Sequence, residues 1–185
     1  MRETQPRDDR ELGQYLQTFL KIKAPARAVC AGHDAPMSYV ADGFFERTGD
    51  CAVWAPRGGG KTTLAAALTL MESKFRKGCA TRILGGSERQ SRYMYEAFTG
   101  FLREEFAGEV AGKTGRERTR FRNGSEVEIL TQSPTTVRGV HVPRLRLDEV
   151  EEFKREVFEA ALYIPHSRRG LGARVEMLST MHHPF

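Results

Sequence analysis

Cysteine is scarce in this chain. Three occur in 185 residues, Cys30, Cys51 and Cys79, widely spaced. That spacing suits a reduced, intracellular protein better than a disulfide framework. Cys30 and His33 form a lone C-x-x-H with no second pair, so a zinc site is not expected. No apolar run approaches the length of a membrane span, and the amino terminus is charged rather than signal-like. A cytoplasmic protein with no membrane partner is therefore expected. Repeats and low-complexity tracts are also missing. Acids do not dominate: 29 Lys and Arg stand against 24 Asp and Glu, giving a net charge of +5. A basic balance favours a polyanionic partner. The length supports one well-buried core and is too short for two large domains.

Residues 1–11, "MRETQPRDDRE", are charged and expected to fray. "LGQYLQTFLKI" (12–22) reads as a short helix with Leu12, Leu16, Phe19 and Leu20 on one face. A stretch punctuated by Pro and Gly follows to Gly49. "CAVWA" (51–55) reads as a short buried strand. From Lys61 the apolar spacing turns helical at Leu64, Leu68, Met71 and Phe75, and Gly78 ends it. "TRILGGS" (81–87) is a second strand. Ser87 with Gln90 then forms a capping box for a helix burying Met94, Phe98, Phe101 and Leu102. Asn123-Gly124 between alternating segments predicts a hairpin. "RLRLDE" is another strand, Val157, Phe158 and Leu162 mark a helix, and "ARVEMLST" (173–180) is a last strand. The alternation predicts an α/β fold, its sheet mostly parallel, flanked by helices and carrying an inserted β-hairpin. Residues 1–29 are expected as a lead-in and 30–185 as the main domain.

"WAPRGGGKTTL" (54–64) raises the first chemical signal. A strand, a glycine-rich turn and a helix opening on Lys-Thr make a phosphate cradle. Glycines let successive backbone N–H groups curl toward an anion, and the helix start adds partial positive charge. Pro56, Arg57, Gly58, Gly59, Gly60, Lys61, Thr62 and Thr63 are the candidate ATP-binding residues. Lys61 would reach the β- and γ-phosphates, and the Thr62 hydroxyl would hold Mg²⁺. Ala55 stands where the strict G-x-x-x-x-G-K-[ST] pattern has its first glycine. Arg57 is a candidate catalytic residue that touches the γ-phosphate or senses the nucleotide state, or else an exposed loop arginine.

The second signal is "PRLRLDEVEEF" (143–153), a strand ending in two acids. Asp148 would join Thr62 in the Mg²⁺ shell, and Glu149 would polarise an attacking water. Adjacent strand residues face opposite ways, so the backbone must turn at the strand end to bring both acids to the crevice. Glu151 and Glu152 read as solvated acids at a helix start. A loop of this kind paired with a distant Asp-Glu describes a P-loop NTPase of the additional-strand, catalytic-glutamate (RecA-like) type.

These residues resemble a specific family, the large terminase subunit of tailed bacteriophages, in its amino-terminal ATPase part. The likeness rests on "APRGGGKTT", on "GGSERQSRYMYEAF", on the hairpin "FRNGSEVEIL", on "SPTTVRGVHVPRLRLDEVEEF" and on "LSTMHHP", and it covers roughly 30–185. It implies an ATP-hydrolysing motor that moves double-stranded DNA into a procapsid. The implied assembly is a homo-oligomeric ring with portal and small terminase subunit as partners. It also implies that Ser179 and Thr180 relay the state of the γ-phosphate. Arg138, in "TVRGV", is by the same resemblance a catalytic finger acting on a neighbouring subunit, and otherwise a structural arginine paired with a nearby acid. His33, Pro36 and Tyr39 are the implied adenine neighbours. The chain stops after "LSTMHHP", ahead of the family's nuclease domain, so DNA cleavage by this chain alone is not expected. A helicase-like DNA-dependent ATPase and a nucleotide-binding module without turnover are the alternatives.

Arg116, Arg118, Arg120 and Arg122 recur at every second residue and would share one face of a strand. Such a stripe meets DNA phosphates or an acidic patch on a neighbour, or else protects a sheet edge by charge. His182 and His183 are adjacent and do not form a metal-ligand pair.

Overall fold

The computed structural model describes residues 2–133, 137–168 and 170–180. The chain divides into two compact units, Met1–Thr48 and Gly49–Phe185. Residues 30–48, expected with the main domain, thus group with the amino-terminal segment. The expected histidines His182 and His183 lie outside the described residues.

The first unit holds two helices, α1 (Asp9–Phe19) and α2 (Pro36–Phe45). Residues 1–11 do not simply fray. Asp8 caps α1 by accepting from the Glu11 N–H at 2.8 Å, and Arg7 pairs back onto Glu11 at 2.5 Å. Leu12, Leu16 and Leu20 are buried as their spacing predicts, and Tyr15 joins them. Helix α2 was not expected, because Pro36 and Gly43 read as breakers. Pro36 sits in the first turn, where its missing N–H breaks no helical bond. Met37, Val40, Ala41 and Phe44 form its buried side. Pro36 and Tyr39 therefore belong to this helix.

The second unit is built on one sheet. Its strands are β1 (Cys51–Trp54), β2 (Ala80–Gly85), β3 (Arg118–Arg120), β4 (Glu126–Ile129), β5 (Arg144–Asp148) and β6 (Arg174–Ser179). Their order is β1-β6-β5-β2-β4-β3, and every pairing is parallel except β3 with β4. Strand β6 is inserted between β1 and β5. That is the additional-strand arrangement: the glycine turn after β1 and the acids after β5 stand one strand apart. The helices are α3 (Lys61–Phe75), α4 (Glu88–Phe101) and α5 (Arg155–Ala161). Side chains alternate across β5. Leu145 and Leu147 pack with Val157, Ala160 and Ala161 of α5 in one apolar cluster.

The other face of β5 is charged yet buried. Arg144 is 1% exposed and Arg146 and Glu72 are fully buried. Glu72, from α3, receives Arg144 Nε at 2.5 Å on one oxygen and an Arg146 terminal nitrogen at 2.5 Å on the other. Glu176 on β6 lies 3.3 Å from Arg146 and 3.2 Å from Arg174. In sequence "RLRL" reads as a strand, with nothing in it to mark its arginines as buried. The parallel neighbours on both sides leave those arginines no route to water, so they meet buried acids instead.

The Asn-Gly hairpin forms, with Gly124 at φ 85° and the Phe121 N–H bonded to the Ser125 carbonyl at 2.8 Å. It is part of the main sheet, since β4 runs parallel to β2. Asn123 also donates to the carbonyls of Ser73 and Lys74 at 2.8 and 2.9 Å, so the turn caps the end of α3. Strand β1, expected to be buried, is an end strand of this sheet; Trp54 is 63% exposed. No helix among the described residues is long and apolar enough to cross a membrane.

Burial by itself would raise the Glu72 carboxyl, but the charges of Arg146 and Arg144 outweigh it and hold it below its usual value. The carboxylate therefore stabilises the fold at neutral pH, and that contribution is lost as pH falls through its lowered folded value. Glu72→Gln should destabilise the protein by about 3–5 kcal/mol at neutral pH, because two buried guanidinium groups lose their counter-charge. Denaturant unfolding at neutral and acidic pH checks this. A loss under about 1 kcal/mol at neutral pH would remove Glu72 from that role.

Candidate nucleotide site

The glycine turn is built from three glycines that are needed for two different reasons. Gly58 and Gly60 have φ of 75° and 81°, the left-handed region. Gly59 has no such φ, but a Cβ there would lie 2.9 Å from the Pro56 carbonyl oxygen. That same carbonyl accepts the Gly59 N–H at 2.9 Å and closes the turn. Gly60 is the N-cap of α3 and supplies no side-chain cap. The first N–H groups of a 15-residue helix thus face the turn without an internal acceptor. Ala55 in place of a first glycine is harmless here: its N–H bonds to the Ser179 carbonyl at 3.3 Å. Pro56 and Arg57 are exposed in the turn, and Thr63 is exposed on the first turn of the helix.

Lys61 is buried, and its ammonium contacts two groups. It lies 2.9 Å from Glu149 and donates to the Thr180 hydroxyl at 2.5 Å. Thr180 donates in turn to Glu149 at 3.2 Å. Thr62 donates to Asp148 at 3.2 Å. Asp148 and Glu149 both reach the crevice because Glu149 itself takes a left-handed conformation, φ 54° and ψ 57°. A non-glycine residue there carries strain of about 1 kcal/mol or more. The structure thus brings together Lys61, Thr62, Asp148, Glu149 and Thr180. Ser179 is buried on β6, beside Trp54 in the sheet register. Arg57 and Arg138 are not in this hydrogen-bonded cluster.

Two carboxylates side by side titrate apart. Burial, then the neighbouring Glu149 charge, push Asp148 up to about 6, against the pull of Lys61 and Thr62. Burial also acts to raise Glu149, but the hydrogen bond and charge of Lys61 outweigh it and hold Glu149 below its usual value. One oxygen of Asp148, one of Glu149 and the Ser179 hydroxyl are buried with no hydrogen-bond partner among the described residues. Buried unpaired oxygens beside an uncapped helix start are what a cation–phosphate pair would satisfy.

The second strand supports these acids from below. The Gly86 N–H bonds to the Asp148 carbonyl at 2.8 Å. A Cβ on Gly86 would lie 2.7 Å from the Glu152 Cβ and 2.9 Å from the Glu149 carbonyl oxygen, so glycine is required by close approach. Ser87 caps α4 as predicted. The Gln90 side chain reaches both ways: its Oε1 accepts from the Ser87 hydroxyl at 3.0 Å, and its Nε2 donates to Glu152 at 2.8 Å. Glu152, read as a solvated acid, is therefore tied to α4. Ser91, which accepts the Gly85 N–H at 2.6 Å, had no signal in the sequence beyond lying one helical turn after the cap.

Two members of the arginine stripe share one acid. Arg118 Nε and Arg120 Nε converge on Glu126 at 2.7 and 3.3 Å, and Arg122 donates to the Gly108 carbonyl from the turn. Only Arg118 and Arg120 lie on β3, the edge strand. Their arrangement matches a charge-protected edge.

No family model and no curated protein sequence matches this chain. Solved structures do. The large terminase of a thermophilic bacteriophage matches with TM-score 0.54 at 14% identity, covering 71% of this chain and 32% of that one. The same terminase in complex with ADP matches with TM-score 0.53 at 13% identity, over 71% and 33% of the two chains. The fold is that of the matched third of a large terminase. This chain spans about a third of the length of those terminase structures.

Within this terminase fold, Asp148 sits in an environment that favours its neutral form. Its folded pKa of about 6 exceeds the ordinary carboxyl value of 3.8. The ionised form is therefore penalised above about pH 6, and the penalty vanishes below about pH 4. Asp148→Asn should raise the stability of the protein alone at neutral pH by up to about 3 kcal/mol. Thermal melting from neutral to acidic pH checks this: the gain should shrink on acidification. A pH-independent gain would mean that charge is not its source.

Proposed function

We propose that this chain is the ATP-hydrolysing motor part of a DNA-packaging terminase. The observation that carries the proposal is the cluster joining Lys61, Glu149 and Thr180 to the Thr62–Asp148 pair, at the start of a helix opened by three glycines. The terminase fold, and the ADP bound by a protein that shares it, support the same reading.

Backbone N–H groups of Gly58 to Thr62 would bind the phosphates, with Lys61 on the terminal ones. The unpaired Asp148 oxygen and the Thr62 hydroxyl fit Mg²⁺, which when bound neutralises charge on the phosphates. A phosphate competes with Glu149 for Lys61. As Lys61 moves to the phosphate, the Glu149 carboxylate is released to take a proton from water. Thr180, bonded to both, registers which partner Lys61 holds, and Ser179 lies beside it on β6. Glu149 is strained at its backbone and anchored through Lys61, so its position responds to the phosphate. Movement of double-stranded DNA, a homo-oligomeric ring, and portal and small-subunit partners complete the proposal.

Division of labour between the two charged residues is the direct test. Lys61→Ala should abolish nucleotide binding, whereas Glu149→Gln should bind normally and lose hydrolysis by a factor of about 100 or more. Nucleotide titration and a phosphate-release assay on both variants separate the roles. Equal loss of binding in the two would refute them, and a wild-type chain that binds but never hydrolyses ATP would be a binding module.

Arg138 is exposed and has no ion pair among the described residues. The adjoining Gly139 lines a cavity at the strand starts, the end of the sheet away from Lys61. That placement favours action on a neighbouring copy over its own phosphates. Mixing Arg138→Ala with Glu149→Gln, each inactive alone, should restore hydrolysis in mixed assemblies. If nothing returns where wild-type chains assemble and hydrolyse ATP, Arg138 does not act across an interface.

A further inference from the structure

The cavity at the strand starts has a volume of about 410 Å³. It lies at the opposite end of the sheet from the glycine turn, between the beginnings of β2, β4 and β5 and the turn that precedes β6. Its basic side chains are Arg82, His141 and Arg168. Glu126 is the sole acid among the described lining residues. It is already occupied by Arg82 at 2.8 Å, Arg118 at 2.7 Å and Arg120 at 3.3 Å. Arg82 is further paired with Glu128 at 2.9 Å.

Arg168 is different. It is exposed, and its side chain has no hydrogen bond or ion pair among the described residues. Its backbone is fixed nonetheless. The Arg168 and Leu171 N–H and carbonyl groups bond reciprocally at 3.0 Å, around Gly170 at φ 80°. The same segment is stitched to the one bearing His141, by Val142 N–H to Ile164 at 3.1 Å and His166 N–H to Val142 at 2.9 Å. The His141 and His166 rings lie 5.7 Å apart. Gly139 contributes no side chain to the wall. An open, polar cavity with an uncommitted guanidinium on a backbone-fixed turn has the chemistry of a phosphate seat. Exposed Lys77 lies beside the lining residue Gly78, so basic character continues past the cavity. A run of basic groups matches a polymer of phosphodiesters.

We propose that this cavity seats a backbone phosphate of double-stranded DNA, through Arg168 and His141. The choice of double-stranded DNA rests on the proposed packaging function; the seat itself is independent of ATP hydrolysis, since no residue of the nucleotide site lines the cavity.

The experiment measures anisotropy of a short labelled duplex with the full chain across a salt series. Arg168→Ala should weaken binding several-fold and lower the log–log salt slope by about 0.9, the loss of one phosphate contact. Arg168→Lys should keep the slope, and adding His141→Ala to Arg168→Ala should weaken binding further. Both side chains are exposed, so melting temperatures should not change. Nucleotide affinity of Arg168→Ala should equal that of wild type, which keeps this test separate from the ATPase proposal. No duplex binding by wild type, or an unchanged slope in Arg168→Ala, overturns the proposal. Inorganic phosphate should displace the duplex no better than chloride at equal ionic strength. Stronger displacement that disappears in Arg168→Ala would make this a free-phosphate site and overturn the DNA assignment.

Discussion

The Glu72 carboxylate holds helix α3 against strand β5 by taking one guanidinium on each oxygen. Helix α3 begins with Lys61 and Thr62, and β5 ends with Asp148. The Lys61–Glu149 and Thr62–Asp148 distances depend on how those two elements sit together. A buried charge pair suits that task because it is directional: apolar packing tolerates sliding, whereas a fork of two charge-assisted bonds sets register. Replacing such a network by apolar side chains of similar volume often leaves stability unchanged or improved. Its value here is placement: the charged side of β5 faces α3, and the apolar side packs on α5.

The site at the strand ends stores tension in both backbone and charge. Gly58 and Gly60 adopt left-handed conformations without strain, but Glu149 adopts one as a side-chain-bearing residue. That conformation turns two adjacent strand residues to one crevice. It also sets two carboxylates together, with Asp148 driven toward its neutral form and Glu149 kept ionised by Lys61. A site with buried, unpaired oxygens next to an uncapped helix start is less stable alone than it is with a phosphate and a cation. Stability withheld from the protein alone becomes available for ligand binding.

Charge is distributed differently at the two ends of the sheet. At the strand ends, the Lys61 ammonium is shared by Glu149 and Thr180, so an incoming anion must compete for it. At the strand starts, Glu126 gathers three arginines and leaves Arg168 uncommitted. The basic excess of the chain is thus concentrated by pairing patterns that leave a few cations open. Net charge alone could not locate them.

Local chemistry was legible from the sequence by itself. The glycine turn, the helix opening at Lys61, the Asn-Gly hairpin and the Asp-Glu strand end each follow from short-range backbone rules, and each lies where those rules place it. The alternation of strands and helices also sufficed for a mostly parallel α/β sheet. Tertiary structure decided what depends on distant partners. Nothing local marks Arg144 and Arg146 as buried; parallel neighbours bury them beside Glu72. Arg118 and Arg120 look like a free stripe until the hairpin brings Glu126 across from them. Pro36 and Gly43 look like breakers, yet α2 forms because a proline in the first turn breaks no bond and the apolar side of the helix is buried. Ion pairing and burial are set by residues far apart in the chain, and the identity of those partners is fixed only when the strands take their order.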